Sequence, residues 1–274
     1  MKFQSVAILA AAAMAAAATP ACAQDTAPPE PVTVTGSVAL VSDYRFRGVS
    51  QTDEEMAIQG GITVSHERGI YGGIWGSNLA GWGTFGGASM ELDLIAGYKL
   101  PLSEGTALDV GVTWYMYPGG ADKTDFAELY AKVSGSLGPV SALAGVAYAP
   151  KQEALGNFSN TPYSRGQNED NLYLWGDVST GIPGTPITAK AHLGYSDGNP
   201  GLGPNGTSVA PTGKYFDYLI GADVAVGPLV LGVAYVGTDI TRDQSRYLLP
   251  NFSSTKDGSS ISSGKAVFSV SAAF

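Results

Sequence analysis

Few side chains in this sequence could do covalent or acid–base chemistry. The 274 residues include two histidines, His66 and His192, and one cysteine, Cys22. A serine hydrolase needs a histidine within reach of a serine nucleophile. His66 lies at the end of a strand-like segment and His192 on the polar face of another, and neither has a nucleophile motif beside it. No His/Asp/Glu spacing suggests a structural metal. Gly81-Trp-Gly-Thr-Phe-Gly86 matches G-x-G-x-x-G but sits in a strand-to-strand link with no helix to receive a pyrophosphate, so it reads as a flexible glycine-rich loop. These residues point away from an enzyme and imply no cofactor.

Charge is the chemistry that remains. Asp43, Glu91, Asp93, Asp109, Glu128, Asp177, Asp217 and Asp223, with Arg45, Lys99, Lys132, Lys190 and Lys265, fall on the polar faces of alternating segments. Asp43, Arg45 and Arg47 share one face where the first segment meets its loop, so Asp43 can accept a charge-assisted bond from an arginine and fix that loop at or in a mouth. In a water-filled bore such groups set a field that biases ion permeation. If they pair across strands they plug the bore instead.

The elements that position these charges are strands. Lys265-Ala-Val-Phe-Ser-Val-Ser-Ala-Ala-Phe274 alternates an apolar face (Ala266, Phe268, Val270, Ala272) with a small or polar one, and ends on an aromatic residue. Ser89–Leu100 sets Met90, Leu92, Leu94, Ala96 and Tyr98 against Glu91, Asp93, Gly97 and Lys99. From Val32 onward about twelve such segments follow one another. Short links such as Gly138–Pro139 and Gly227–Pro228 alternate with long ones such as Arg45–Glu55, Pro150–Asp170 and Asp239–Ser260. Antiparallel neighbours then place every short turn at one rim and every long loop at the other. Strands of about ten residues at ~3.3 Å per residue, tilted ~40°, span the ~25 Å apolar band of a membrane barrel. Trp114, Tyr148, Tyr195, Tyr218 and Tyr235 fall toward the long-loop rim, and Tyr98 and Phe274 toward the other, as interfacial girdles require.

The expected fold is therefore an all-β, antiparallel up-and-down transmembrane barrel over residues 33–274. A soluble β-sandwich also alternates, but its connections do not sort by length. Ahead of the barrel, residues 1–23 read as a cleaved Sec-type signal: Lys2, an apolar run from Val6 to Ala18, and Ala21-Cys22-Ala23. Residues 24–32 form a proline-rich leader. Cleavage removes Cys22, so the mature chain has no thiol chemistry. The formal net charge of −9 argues against a nucleic-acid partner.

Val41-Ser-Asp-Tyr-Arg-Phe-Arg-Gly-Val-Ser-Gln-Thr52, then Ala57-Ile-Gln-Gly-Gly61, Gly69-Ile-Tyr-Gly-Gly-Ile-Trp-Gly-Ser-Asn78, Glu91-Leu-Asp93, Tyr115-Met-Tyr-Pro118 and Glu128-Leu-Tyr130, resemble the TorF-type porin family, most densely over residues 38–135. The resemblance implies a channel in the outer membrane of a Gram-negative bacterium. Passive diffusion of small solutes or ions is the expected activity, with a mild cation preference from the acidic excess. Asp43, Arg45, Arg47, Glu91, Asp93, Asp109, Glu128 and Lys132 are the expected pore-lining or constriction residues. The expected partners are outer-membrane lipid, the barrel-assembly machinery through the Phe274 strand, and further copies of the chain. A non-conducting structural or adhesive barrel is the competing reading, and an outer-membrane hydrolase a third.

Overall fold

The computed structural model describes residues 31–157, 162, 165–201 and 208–274, so the expected signal and most of the proline-rich leader lie outside the described residues. Twelve strands form a closed ring: β1 (Val32–Val41), β4 (Ala57–His66), β5 (Ile70–Asn78), β6 (Met90–Ser103), β7 (Thr106–Met116), β8 (Phe126–Leu137), β9 (Val140–Gln152), β10 (Glu169–Gly181), β11 (Ile187–Gly198), β12 (Lys214–Val226), β13 (Leu229–Thr238) and β14 (Lys265–Ala273). Each pairs antiparallel with its neighbours, and β14 returns to β1 with Ser37 opposite Ala273 and Val41 opposite Ser269. Two short strands, β2 (Arg45–Phe46) and β3 (Val49–Ser50), make a separate hairpin within the first long connection. The sequence marks that connection only as a long loop held by charges at or in the mouth. One helical turn, α1 (Glu153–Gly156), interrupts another long link.

The period-two pattern decides which solvent each face meets. Ile62, Ile74, Leu94, Leu129, Leu174, Val233 and Val270 all point outward and stay exposed, and Ile58 and Ile220 are each 68% exposed. A soluble protein rarely leaves so continuous an aliphatic belt in water, whereas hydrocarbon solvates it without cost. Closing the ring satisfies every edge, the condition for sheet structure in lipid. Exposed Trp114, Tyr148 and Tyr235 border the belt near the long loops, and Tyr98 and Phe274 border it at the short-turn rim.

The seam is finished by the last residue. The Gly36 amide donates to the Phe274 carbonyl (2.7 Å), and the Phe274 amide donates back to Gly36 (3.0 Å). A Cβ on Gly36 would sit 2.5 Å from the Phe274 ring, so any larger residue must push that ring off the seam. Gly36→Leu is expected to cost about 1–3 kcal/mol, lowering the melting midpoint in detergent by several degrees at ~2–4 °C per kcal/mol for a chain of this size. An unchanged midpoint by circular dichroism would mean the terminal ring contributes nothing to closure.

Candidate functional site

The inner wall is two-sided. β13, β14 and β1 turn mostly small or aliphatic residues inward, among them Ala234, Val236, Ser269, Ser37 and Ala39, with Lys265 at the loop end of β14 pairing with Glu54 (2.9 Å), while the other inward charges of the barrel strands lie between β6 and β12. Across this bore lies the β2–β3 hairpin. Arg47 and Gly48 form its two-residue turn, both with positive φ (48° and 79°), the backbone of a type I′ connection. Gly48 fits because a Cβ there would come within 2.6 Å of the Gly237 carbonyl oxygen. Arg47 has no such excuse, since left-handed backbone disfavours a long side chain. Its placement is explained by what the side chain reaches.

Arg47 Nη2 donates to Glu128 Oε2 on β8 at 2.6 Å, with both side chains buried. The guanidinium also stacks 4.1 Å from the ring centre of Tyr173 on β10. Burial opposes the Arg47 charge, but Glu128 together with Tyr115 and Tyr173 holds the guanidinium above its ordinary pKa. β8 stands five strands from β1 in one direction around the ring and seven in the other, nearly opposite. A loop rooted beside β1 and pinned on β8 therefore crosses the bore.

The root is tied as firmly as the tip. Asp43 accepts from Arg45 Nε and from Ser50 Oγ, each at 2.6 Å. Burial pushes the Asp43 carboxyl above its ordinary pKa, with Arg45 and Ser50 pulling the other way. Arg45 donates further to the carbonyls of Gly48 (3.1 Å) and Ser263 (2.9 Å) and to Glu54 (3.2 Å). Tyr44 donates to Glu91 at 3.1 Å. Above the hairpin, Val49 packs with Trp82, Tyr215, Leu248, Phe252 and Ile261 from other strands and loops. Gly81–Gly86, which read as a flexible loop, is part of this packed lid: Trp82 and Phe85 are buried, with Trp82 edge-on to Phe252 at 4.8 Å. Beneath the lid a cavity of about 20 Å³, touched by Phe46, Gln51, Glu91 and Tyr215, has room for roughly one water.

Of the eight residues singled out from sequence, six gather around the hairpin: Asp43 at its root, Arg45 and Arg47 in it, Glu91, Asp93 and Glu128 on the wall facing it. Asp109 and Lys132 pair with each other further down (3.3 Å), where Tyr71 also donates to Asp109 (2.7 Å). Lys190 pairs with Asp223 at 2.7 Å. His192, on the polar face of β11, points into the bore. Its Nδ1 lies 2.6 Å from Asp177 and its Nε2 3.0 Å from Asp217, so neither ring nitrogen is left to activate a serine. Tyr173, which stacks on Arg47 and donates to Asp217 (3.1 Å), carried no signal in the sequence beyond its alternation.

A family model described as "Bacterial protein of unknown function (Gcw_chp)" matches residues 25–274. No curated protein matches the chain. Among solved structures, "NanC porin structure in rhombohedral crystal form" is similar with a TM-score of 0.54 at 9% identity, over 88% of this chain and 99% of that one. The KdgM porin is similar over 88% of this chain and 98% of its own, at 8% identity and a TM-score of 0.49. At such identities the first likeness is one of fold, a closed porin-like barrel.

Proposed function

The chain belongs to the bacterial Gcw_chp family, whose function is unknown, and from that premise we propose that it is an outer-membrane channel for passive diffusion of small ions or solutes, shut at rest by its first-loop hairpin. The observation that carries this reading is the division of solvents along single strands: on β6, Leu94 is exposed outward while Glu91 and Asp93, two residues apart, are buried inward. Charged groups facing a bore have a use if ions or polar solutes pass them. The wall opposite the hairpin holds Glu91, Asp93, Glu128 and Asp217, which supports a mild preference for cations. The motif at Val41–Thr52 coincides with the crossing hairpin, and on it we place the chain with the TorF-type porins. Export by a Sec-type signal, assembly through the Phe274 strand and self-association belong to the same reading.

The inserted hairpin equally suits a sealed barrel whose outer loops bind something, so the test must include an opened variant. Planar-bilayer recording of the wild-type protein should give rare, brief openings with reversal potentials favouring cations. Anion-over-cation permeability would remove the selectivity, and silence from both wild type and Arg47→Ala, each correctly folded, would favour the sealed barrel.

A further inference from the structure

On the barrel strands, the inward carboxylates fall into two classes. Asp109, Glu128 and Asp223 each face a lysine or arginine, and Asp177 and Asp217 share His192. Glu91 and Asp93 have no ion-pair partner among the described residues, although both are buried and Asp93 is 0% exposed. Neither oxygen of Asp93 has a hydrogen-bond partner there. Glu91 accepts only the Tyr44 hydroxyl, at 3.1 Å.

Register places further oxygens beside them. Gln59 on β4 lies opposite Ser77 on β5, which lies opposite Glu91 on β6, and one inward step along, Trp75 and Tyr115 flank Asp93. Gln59 spends its amide nitrogen on a long contact to Ser77 Oγ (3.5 Å), leaving its buried Oε1 unpartnered. Three orphan acceptor atoms and a second carboxylate thus share neighbouring positions, with no protein cation. Burying an unpaired carboxylate is costly, and a group so placed needs either a proton or a cation from outside.

We propose that Asp93 and Glu91, with Gln59, form a binding site for one monovalent alkali cation. The donor set is all oxygen, which suits hard cations. With two carboxylates and one amide oxygen as its donors the site is a weak one, as a permeation step requires if the ion is to leave again. This deepens the channel reading and rests on it for the site's role in transport.

The test is thermal melting of the mature protein in detergent micelles, in potassium chloride against N-methyl-D-glucamine chloride at equal ionic strength. With potassium at about ten times its dissociation constant, the wild-type midpoint should rise by ~3–6 °C. Asp93→Asn should lose that rise, and Glu91→Gln, kept as a second variant should the first not fold, should lose most of it. Equal wild-type midpoints in the two salts would overturn the proposal. So would a rise retained in whichever variants fold, or a variant stabilised equally in both salts, which would mean the acids are held neutral. Because the measurement involves no transport, its failure leaves the channel reading standing, and a silent bilayer leaves the site standing.

Discussion

Arg47→Ala should convert a channel that is shut nearly all the time into one that opens often. Truncating the side chain leaves Glu128 buried without its partner, and breaking a buried pair in this way costs about 3–5 kcal/mol. The stacking on Tyr173 is lost as well, a contact worth ~1–2 kcal/mol when desolvated. All of that loss falls on the state with the hairpin inserted, because water can solvate Glu128 once the hairpin swings out. At 1.36 kcal/mol per decade, even half the pair's loss moves the shut-to-open ratio by on the order of tenfold, and the full loss by over a hundredfold. Arg47→Lys should fall between, since an ammonium keeps the charge but not the planar stacking. Adding Glu128→Ala to Arg47→Ala should restore part of the shut population by removing the stranded charge. Single-channel records give the open probability directly, and an Arg47→Ala trace indistinguishable from wild type would mean the hairpin is not the gate.

Ile74→Arg is the second large expectation, and it concerns the outer surface. Ile74 is central in β5, exposed and outward, opposite Ile62 and Leu94. A guanidinium near the bilayer midplane costs about 2–4 kcal/mol. Thr63 on β4 sits beside it but faces inward, where water receives the new side chain. Refolding into phospholipid vesicles under urea titration should therefore show a clear loss for Ile74→Arg and little change for Thr63→Arg. Equal losses would mean that the two faces do not meet different solvents.

The difference between those neighbouring positions was legible in the sequence, and so was the ring. Period-two alternation survives in β6, β7 and β8 because each side chain there meets lipid or lumen and nothing else decides its identity. The short and long links followed from the same cause, since turns such as Gly138–Pro139 need only reverse the chain. The crossing hairpin was less legible. Its strands are two residues each, too short for any period to register. Asp43, Arg45 and Arg47 could be read as a charged group at the mouth, yet Arg47's partners lie on β8 and β10, far along the chain, and only closure of the ring brings them opposite. Trp82 and Phe85 escaped for a related reason. In a glycine-rich link an aromatic residue says nothing of whether it hangs in solvent or closes a lid, and their partners Phe252, Tyr117 and Phe126 come from other loops and from β8.

The account depends on lipid outside and water within the same strands, and collision rates of nitroxide labels measure that most directly. The sequence has one cysteine, Cys22, and none within the barrel strands or their loops, so on a chain without Cys22 single labels can be placed on adjacent positions: Thr63 and Val64, Val133 and Ser134, Ser269 and Val270. In vesicles, Val64, Val133 and Val270 should collide with oxygen dissolved in hydrocarbon, while Thr63, Ser134 and Ser269 collide with a water-soluble nickel chelate entering from the short-turn rim. If both members of each pair were reached by oxygen alone, or neither by any collider, the strands would not separate lipid from water and the channel reading would fall with them.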